Sequence, residues 1–282
     1  MQLLLKILVF FILFLVLFSL FTFLVSIHPK KIKTDLSPDE LGLEYEEISF
    51  KSTDGIRLSG WFFPNNNSRQ TVIVMHGYPA DKANLLGVTE FLAKDFNVLL
   101  FDFRSFGKSE GKYTTAGYLE RNDLLGAIQY LEEEKNLTKI GLYGFSLGGA
   151  VALMTNHKNI KAVATDSAYA RLQDVVLHMY GPFSILKYPL ALLTKLYGIL
   201  FLRLDLDDAS PAENIKNMKI PILLIHSEID SQIPVGQAFI LHEVNKKTSL
   251  WIVKDADHGM IHSAHPEEYE KRIIDFFRKN IN

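Results

Sequence analysis

Five short apolar runs set the fold class of this chain. Thr71-Val72-Ile73-Val74-Met75, Asn97 to Phe101, Lys139 to Tyr143, Ile160 to Thr165 and Pro221 to Ile225 are each continuous and bounded by polar residues. A strand with one wet face alternates polar and apolar residues, whereas a strand covered on both faces reads as an unbroken apolar run. Helical stretches lie between them. In Tyr118 to Glu133, Leu124, Ile128 and Leu131 fall at i, i+4 and i+7 and make one apolar stripe. Strands alternating with helices in this way predict an α/β fold: a mostly parallel central sheet with helices on both faces. Two further strands are expected ahead of it. Leu43 to Phe50 alternates in part, Ile56 to Phe63 is rich in β-branched and aromatic residues, and Asp54-Gly55 turns between them. Ser249 to Val253 is strand-like near the other end. Ser210-Pro211-Ala212-Glu213 reads as a capping box, with Ser210 as cap, Pro211 first in the helix and Glu213 reaching back.

The alternation breaks once. From about residue 169 to 206 no buried strand is visible, and apolar residues recur at mixed spacing around Gly181-Pro182 and Tyr188-Pro189. They are too many for a solvated loop. The segment reads as a helical cap inserted over the carboxyl edge of the sheet, with ordinary crossover helices as the competing reading. At 282 residues, 48% of them hydrophobic, the chain can bury one large core.

The first segment is of another kind. Ile7 to Ile27 carries no charge, and only Ser19, Thr22 and Ser26 are polar. As a helix this run is about 31 Å long, against about 30 Å of hydrocarbon core. A cleaved signal peptide has a shorter apolar region and ends in small residues, which Phe23-Leu24-Val25-Ser26-Ile27-His28-Pro29 does not supply. The run is therefore expected to be a single-pass membrane anchor over residues 1–29. A polar linker follows over 30–42, then the soluble domain over 43–282. Lys30, Lys31 and Lys33 follow the span, against Lys6 and the amino terminus before it, which tilts the domain weakly toward the cytoplasmic face without deciding the side.

Several chemistries are excluded early. The net charge of −2 and the lack of a basic stripe give no footprint for nucleic acid. With no cysteine, disulfides, thiolate metal sites and cysteine nucleophiles are ruled out. No His-Glu-x-x-His and no glycine loop ending in lysine is present, so neither a metal nor an organic cofactor is expected.

What remains is nucleophilic. Gly144-Phe145-Ser146-Leu147-Gly148 follows directly on the strand-like Lys139 to Tyr143. Glycine and serine are common enough for Gly-x-Ser-x-Gly to arise by chance, so the position carries the weight. A strand turning sharply into a helix lifts a hydroxyl out where a base and anion-stabilising donors can reach it. Gly144 would then take the strained dihedrals, and Gly148 would let strand and helix cross closely. In an open parallel sheet the ligand site lies at the carboxyl ends of the strands. His76-Gly77-Tyr78 follows one strand, and the backbone N–H of Tyr78 could join that of Leu147 in an oxyanion hole, a donor worth about 3 kcal/mol of barrier. His76 is expected to shape that loop rather than to carry protons. Asp230 lies beyond the strand ending at Ile225. His258 lies beyond Ser249 to Val253. Glu228, Asp255 and Asp257 compete with Asp230. The order Ser146, Asp230, His258 is that of nucleophile, orienting carboxylate and base in one of the known serine-hydrolase arrangements.

On these residues the chain resembles an α/β-hydrolase, in particular the membrane-associated serine hydrolases near the serine aminopeptidase-like and monoacylglycerol-lipase-like groups. The matching stretches are Val74-Met75-His76-Gly77, Phe101-Asp102-Phe103-Arg104-Ser105-Phe106-Gly107-Lys108-Ser109-Glu110-Gly111, Gly144 to Gly149, Ser210-Pro211 with Asp230-Ser231-Gln232-Ile233-Pro234, and Asp257-His258-Gly259. Ser105 departs from the family pattern, which has a second glycine there. The resemblance implies hydrolysis of esters, thioesters or amides without metal or cofactor. The apolar insertion and the adjacent span favour a lipid-like or long-acyl ester or thioester. A serine aminopeptidase is the alternative. It would need an acidic group for the substrate amine, and Asp205, Asp207 and Asp208 are the candidates. A catalytically silent binding protein on the same fold is a third possibility.

Overall fold

The five apolar runs are neighbouring parallel strands in one eight-stranded sheet. In the computed structural model, which describes residues 1–32 and 34–281, the strands are β1 (Glu46–Lys51), β2 (Arg57–Phe63), β3 (Gln70–Met75), β4 (Asn97–Phe101), β5 (Lys139–Phe145), β6 (Ile160–Asp166), β7 (Ile222–Ser227) and β8 (Ser249–Val253). Their order across the sheet is β1-β2-β4-β3-β5-β6-β7-β8. β2 runs antiparallel to both of its neighbours, β1 and β4, and every pairing from β4 to β8 is parallel. Lys33, counted above among the basic residues after the span, and Asn282 lie outside the described residues.

The continuous runs are explained by cover on both faces. Ile73 and Leu99 face one apolar cluster with Leu124, Ile128 and Leu131 of α3 (Glu120–Glu133), while Val72, Val74 and Leu100 face another with Ile273 and Phe277. Alternate residues of one strand therefore enter opposite cores. Each such side chain, fully withdrawn from water, contributes about 1.5–3 kcal/mol. The remaining helices are α1 (Gln2–Ile27), α2 (Leu86–Leu92), α4 (Leu147–Met154), α5 (Leu172–Met179), α6 (Lys187–Tyr197), α7 (Pro211–Ile215), α8 (Gly236–Val244), α9 (Ile261–Ala264) and α10 (Pro266–Asn280). The chain leaves β3 for β4 on one side and then crosses back to β5 on the other. The order reverses between β3 and β5, and there a crevice opens at the carboxyl ends of the strands.

The insertion is helical. α5, a short turn over Gly181–Leu186, α6 and a wider turn over Gly198–Leu202 follow one another. Leu172 and Leu206, near the two ends of the insertion, join Met154, Tyr169 and Ile233 in a third apolar cluster that seals the cap to the sheet. α1 is one unbroken helix, and its second half lies against α6. Phe18 packs edge-on to Phe183 at 5.2 Å between ring centres, and Phe23 lies 5.8 Å from Tyr197. The segment after it is pinned to the body: Lys31 Nζ donates to the Ser109 carbonyl at 2.5 Å, and the N–H and hydroxyl of Thr34 donate to Asp81 at 2.8 Å.

Two local expectations change. The first strand begins at Glu46 rather than Leu43, because Leu36, Leu41 and Leu43 pack as a strap against the core. Ser210 precedes α7 with Pro211 in its first position, but its hydroxyl turns to the Ala170 carbonyl at 3.5 Å. Glu213 pairs with Lys216 at 2.6 Å instead of reaching back, so the capping box does not form.

Candidate active site

Ser146 stands where β5 turns into α4, with φ 50° and ψ −110°. A side chain in that region costs on the order of 1–3 kcal/mol, which the surroundings must supply. The Ser146 N–H is held by the Asp166 carbonyl at 2.8 Å. The strain therefore sits in the serine and not in Gly144, which has no positive φ. Gly144 is needed for a different reason: a Cβ there would lie 2.4 Å from the backbone of Gly148 and Gly149. At Gly148 a Cβ would meet the Met75 carbonyl oxygen at 2.3 Å, which is the close crossing of helix and strand expected at that position. Ser146 lines a cavity.

The histidine and its carboxylate are together. His258 Nδ1 lies 2.7 Å from Asp230 Oδ2. The other oxygen of Asp230 accepts the N–H groups of Ile233 at 2.7 Å and Gln232 at 3.0 Å. Burial pushes this carboxyl up, but hydrogen bonds from His258 and the Ile233 N–H outweigh it and hold Asp230 below the ordinary carboxylate range. An ionised acceptor at Nδ1 puts the ring proton there and leaves Nε2 with its lone pair. The competing carboxylates are engaged elsewhere. Asp257 accepts the N–H and hydroxyl of Ser231 and the N–H of His258, and Asp255 pairs with His265 at 2.7 Å. Glu228 is exposed at the end of β7. No hydrogen bond joins His258 to Ser146. The imidazole packs instead on Phe145, the residue before the serine, with ring centres 4.9 Å apart.

His76 is a structural residue. It is fully buried, Phe103 N–H donates to its Nε2 at 3.0 Å, and its Nδ1 bonds the Gly77 carbonyl at 2.8 Å. Burial pulls it below the ordinary histidine range, so both nitrogens are committed and the ring is neutral. Gly77 is needed because a Cβ there would lie 2.8 Å from the Phe145 ring and 3.2 Å from Ser146 Cβ. That packing brings Tyr78 over the serine turn, and Tyr78 and Leu147 line the same cavity as Ser146. Among the described residues neither of their N–H groups donates within the chain.

Three buried groups near this turn escaped the sequence reading. Asp166 accepts Tyr269 OH at 2.8 Å and Ser167 Oγ at 2.9 Å, Tyr143 OH lies 2.5 Å from Tyr269 OH, and burial raises the Asp166 carboxyl. Asp102 holds Lys82 Nζ at 2.7 Å and the N–H groups of Lys82 and Lys108. Glu120 accepts from both hydroxyls of Thr114 and Thr115 and from the N–H groups of Thr115 and Gly117, which fixes the 114–116 loop. The Asp102-x-Arg104 motif was the one available signal for the second of these. Ser105, the departure from the family pattern, has φ 69° and a buried hydroxyl with no partner.

The cavity over Ser146 encloses about 760 Å³. The cap supplies Leu172, Val176 and Met179 to its wall, the 114–116 loop another part, and Phe23, Ser26 and Ile27 of α1 a third. No Asp, Glu, Lys or Arg lines it. Asp205 and Asp207 turn away and pair with Lys195 at 3.0 and 2.7 Å, and Asp208 is exposed. No cluster of three or more His, Asp or Glu among the described residues is placed to hold a metal ion.

A family model described as the α/β hydrolase fold matches residues 70–180. Among solved structures the chain is similar to an esterase of Pyrococcus furiosus, at 30% identity and a TM-score of 0.76, covering 91% of this chain and 99% of that one. Among curated proteins it is 28% identical to YfhR of Escherichia coli over 253 residues, 84% of this chain and 82% of the relative. It is 27% identical to protein bem46 of Schizosaccharomyces pombe over 217 residues, 73% and 67% of the two chains.

Proposed function

The chain belongs to the α/β-hydrolase fold family, and on that premise we propose that it is a membrane-anchored serine hydrolase of lipid-like carboxylic esters or thioesters. The observation that carries this reading is the His258–Asp230 pair at 2.7 Å, packed on Phe145 next to a strained serine that opens into a cavity lined by no Asp, Glu, Lys or Arg. Ser146 Oγ attacks the substrate carbonyl while His258 Nε2 takes its proton. Asp230 fixes the tautomer of the base and stabilises the imidazolium. The developing oxyanion accepts from the Tyr78 and Leu147 N–H groups. His258 then returns the proton to the leaving alcohol or thiol, and water, activated by the same base, releases the acid from Ser146. For attack, the serine hydroxyl and the imidazole close the gap left between them at rest, as hydrogen bonds of unliganded sites commonly do.

The lack of any Asp or Glu in the cavity wall supports an ester over an aminopeptidase substrate, which would need a carboxylate for its amine. A silent binding fold has no chemical use for the Asp230–His258 pair. We further read α1 as crossing a bilayer: it has 26 residues, and an 18-residue stretch of it has a mean hydropathy of 3.1. In sequence, Lys30, Lys31 and Lys33 follow it against Lys6 and the amino terminus before it, a small excess toward a cytoplasmic domain.

The test is labelling with a fluorophosphonate serine probe in detergent. The natural chain should label, and Ser146→Ala and His258→Ala should not. Persistent labelling of Ser146→Ala would remove the nucleophile from this scheme. A series of p-nitrophenyl esters of rising chain length, beside aminoacyl amides, should show turnover of esters only.

A further inference from the structure

The length of α1 and the place where the cap touches it together fix how deep the cap must lie. The uncharged run Ile7 to Ile27 is about 31 Å long as a helix, the thickness of a hydrocarbon core. The cap, however, does not meet α1 only at its end. Tyr197 OH donates to the Val16 carbonyl at 2.9 Å, and Thr22 Oγ1 lies 2.5 Å from Tyr180 OH, which in turn bonds Thr194. Val16 is about 16 Å along the helix from Ile27, half of the core thickness. If α1 crosses the bilayer, the cap residues beside Val16 are at the depth of the acyl chains.

The composition of the cap fits that depth. Between Gly181 and Leu202 the only charges are Lys187 and Lys195. Lys195 is turned to Asp205 and Asp207, and Lys187 lies 5.2 Å from the Tyr188 ring centre, a pairing suited to a headgroup boundary. The face away from α1 is apolar and open: Ile185 is 76% exposed, Leu200 71% and Leu192 59%. The polar groups at the contact are all satisfied within the chain, as Ser19 Oγ also bonds the Leu15 carbonyl at 2.7 Å. Hydrocarbon demands this, and water does not.

We propose that the cap and the second half of α1 form one unit embedded in the near leaflet, so that an acyl chain passes from the leaflet to Ser146 through a cavity that α1 itself walls. The route of the acyl chain rests on the hydrolase reading above; the embedding does not. The cavity wall includes Phe23, Ser26 and Ile27, so the last turns of α1 are part of the substrate site as well as a tether.

The absence of cysteine makes the test direct. Single cysteines at Leu192 and Leu200, and at the exposed Lys158 as reference, are labelled with an environment-sensitive dye in the full chain reconstituted in phosphatidylcholine vesicles. Emission from Leu192→Cys and Leu200→Cys should be blue-shifted and fall roughly twofold when doxyl-labelled lipid is included, as for a face at the depth of the acyl chains. Lys158→Cys should show neither change. Aqueous emission at both cap positions overturns the proposal. So does a blue shift indifferent to doxyl lipid, which would mean that protein covers the face. For the wall, Phe23→Ala should change the ratio of long-chain to short-chain ester turnover by about 10-fold or more; an unchanged ratio refutes that part. If the natural chain fails to label with fluorophosphonate, the hydrolase reading falls while the quenching result still decides the embedding.

Discussion

Replacing Gly148 by alanine should damage stability and catalysis together. Its new Cβ would lie 2.3 Å from the Met75 carbonyl oxygen and 2.7 Å from the carbonyl carbon. Both are backbone atoms in the middle of the sheet, so no side chain can swing aside. Restoring ordinary contact requires α4 and β3 to separate by about 1 Å, and overpacking of this kind typically costs about 1–3 kcal/mol. At about 2–4 °C per kcal/mol, melting should fall by roughly 2–12 °C. The same separation has a catalytic consequence. Met75 leads into the His76-Gly77-Tyr78 loop, and Gly148 follows Leu147, so the two N–H groups assigned to the oxyanion move apart. Misplacement by 1 Å at a reacting centre costs about 100-fold in rate. The check is thermal unfolding in detergent beside kcat/KM on a short p-nitrophenyl ester. Gly236→Ala serves as the control: a Cβ there meets nothing, and in α8 it should be neutral or stabilising by about 0.5–1 kcal/mol. If Gly148→Ala keeps the natural melting point and turnover, the close crossing does not hold the site and the reasoning fails.

Ser105→Gly should raise the melting temperature by about 2–4 °C, since it relieves φ 69° and removes a buried hydroxyl without a partner, a gain of about 1 kcal/mol after the extra freedom of the unfolded chain. A lower melting point would show that the hydroxyl is used. Asp230→Asn keeps an acceptor for the Ile233 N–H but loses the anion that sets the His258 tautomer; kcat should drop by about 10⁴-fold with little change in melting. Burial lowers the pKa of His76, so between the unfolded value near 6.5 and the lower folded value the unfolded chain binds the extra proton. Stability should therefore fall as pH drops below 6.5, by at most about 1.4 kcal/mol per pH unit from this group. Denaturant titrations at several pH values should show that slope reduced in His76→Asn; an equal slope in both chains would assign it to other groups.

The sheet was legible because burial on two faces leaves a mark that needs no partner to read. Val72, Ile73 and Val74 enter opposite cores, and only an unbroken apolar run can do so. The glycines were legible as a pattern but not by role. A sequence shows that small residues recur at Gly144 and Gly148; it does not show that the left-handed conformation falls on Ser146 while Gly144 serves a close approach. The local helix signal at Ser210 was overridden by a nearer acceptor, the Ala170 carbonyl, brought up by a fold 40 residues earlier in the chain. Glu120 and Asp166 were invisible for the same reason: their partners are loop and strand-end groups that only the tertiary structure collects.

The reading of α1 turns on a different limit. Periodicity detects a helix that is apolar on one side because the other side meets water. Where both sides meet apolar matter, one protein and the other lipid, no stripe is left to find. Val16, Ser19, Thr22 and Phe23 face α6 and the cap, while Phe10, Phe21 and Val25 are exposed, and the two sets have the same character in sequence. The discriminating signal is the sparse polar set. Ser19 and Thr22 are three residues apart, on one face, and both reach cap tyrosines. In a helix surrounded by lipid such hydroxyls can only bond back to their own turn, so a pair on one face marks the side that meets protein. In this chain that side leads toward the cavity above Ser146, whose wall includes Phe23, Ser26 and Ile27 of the same helix.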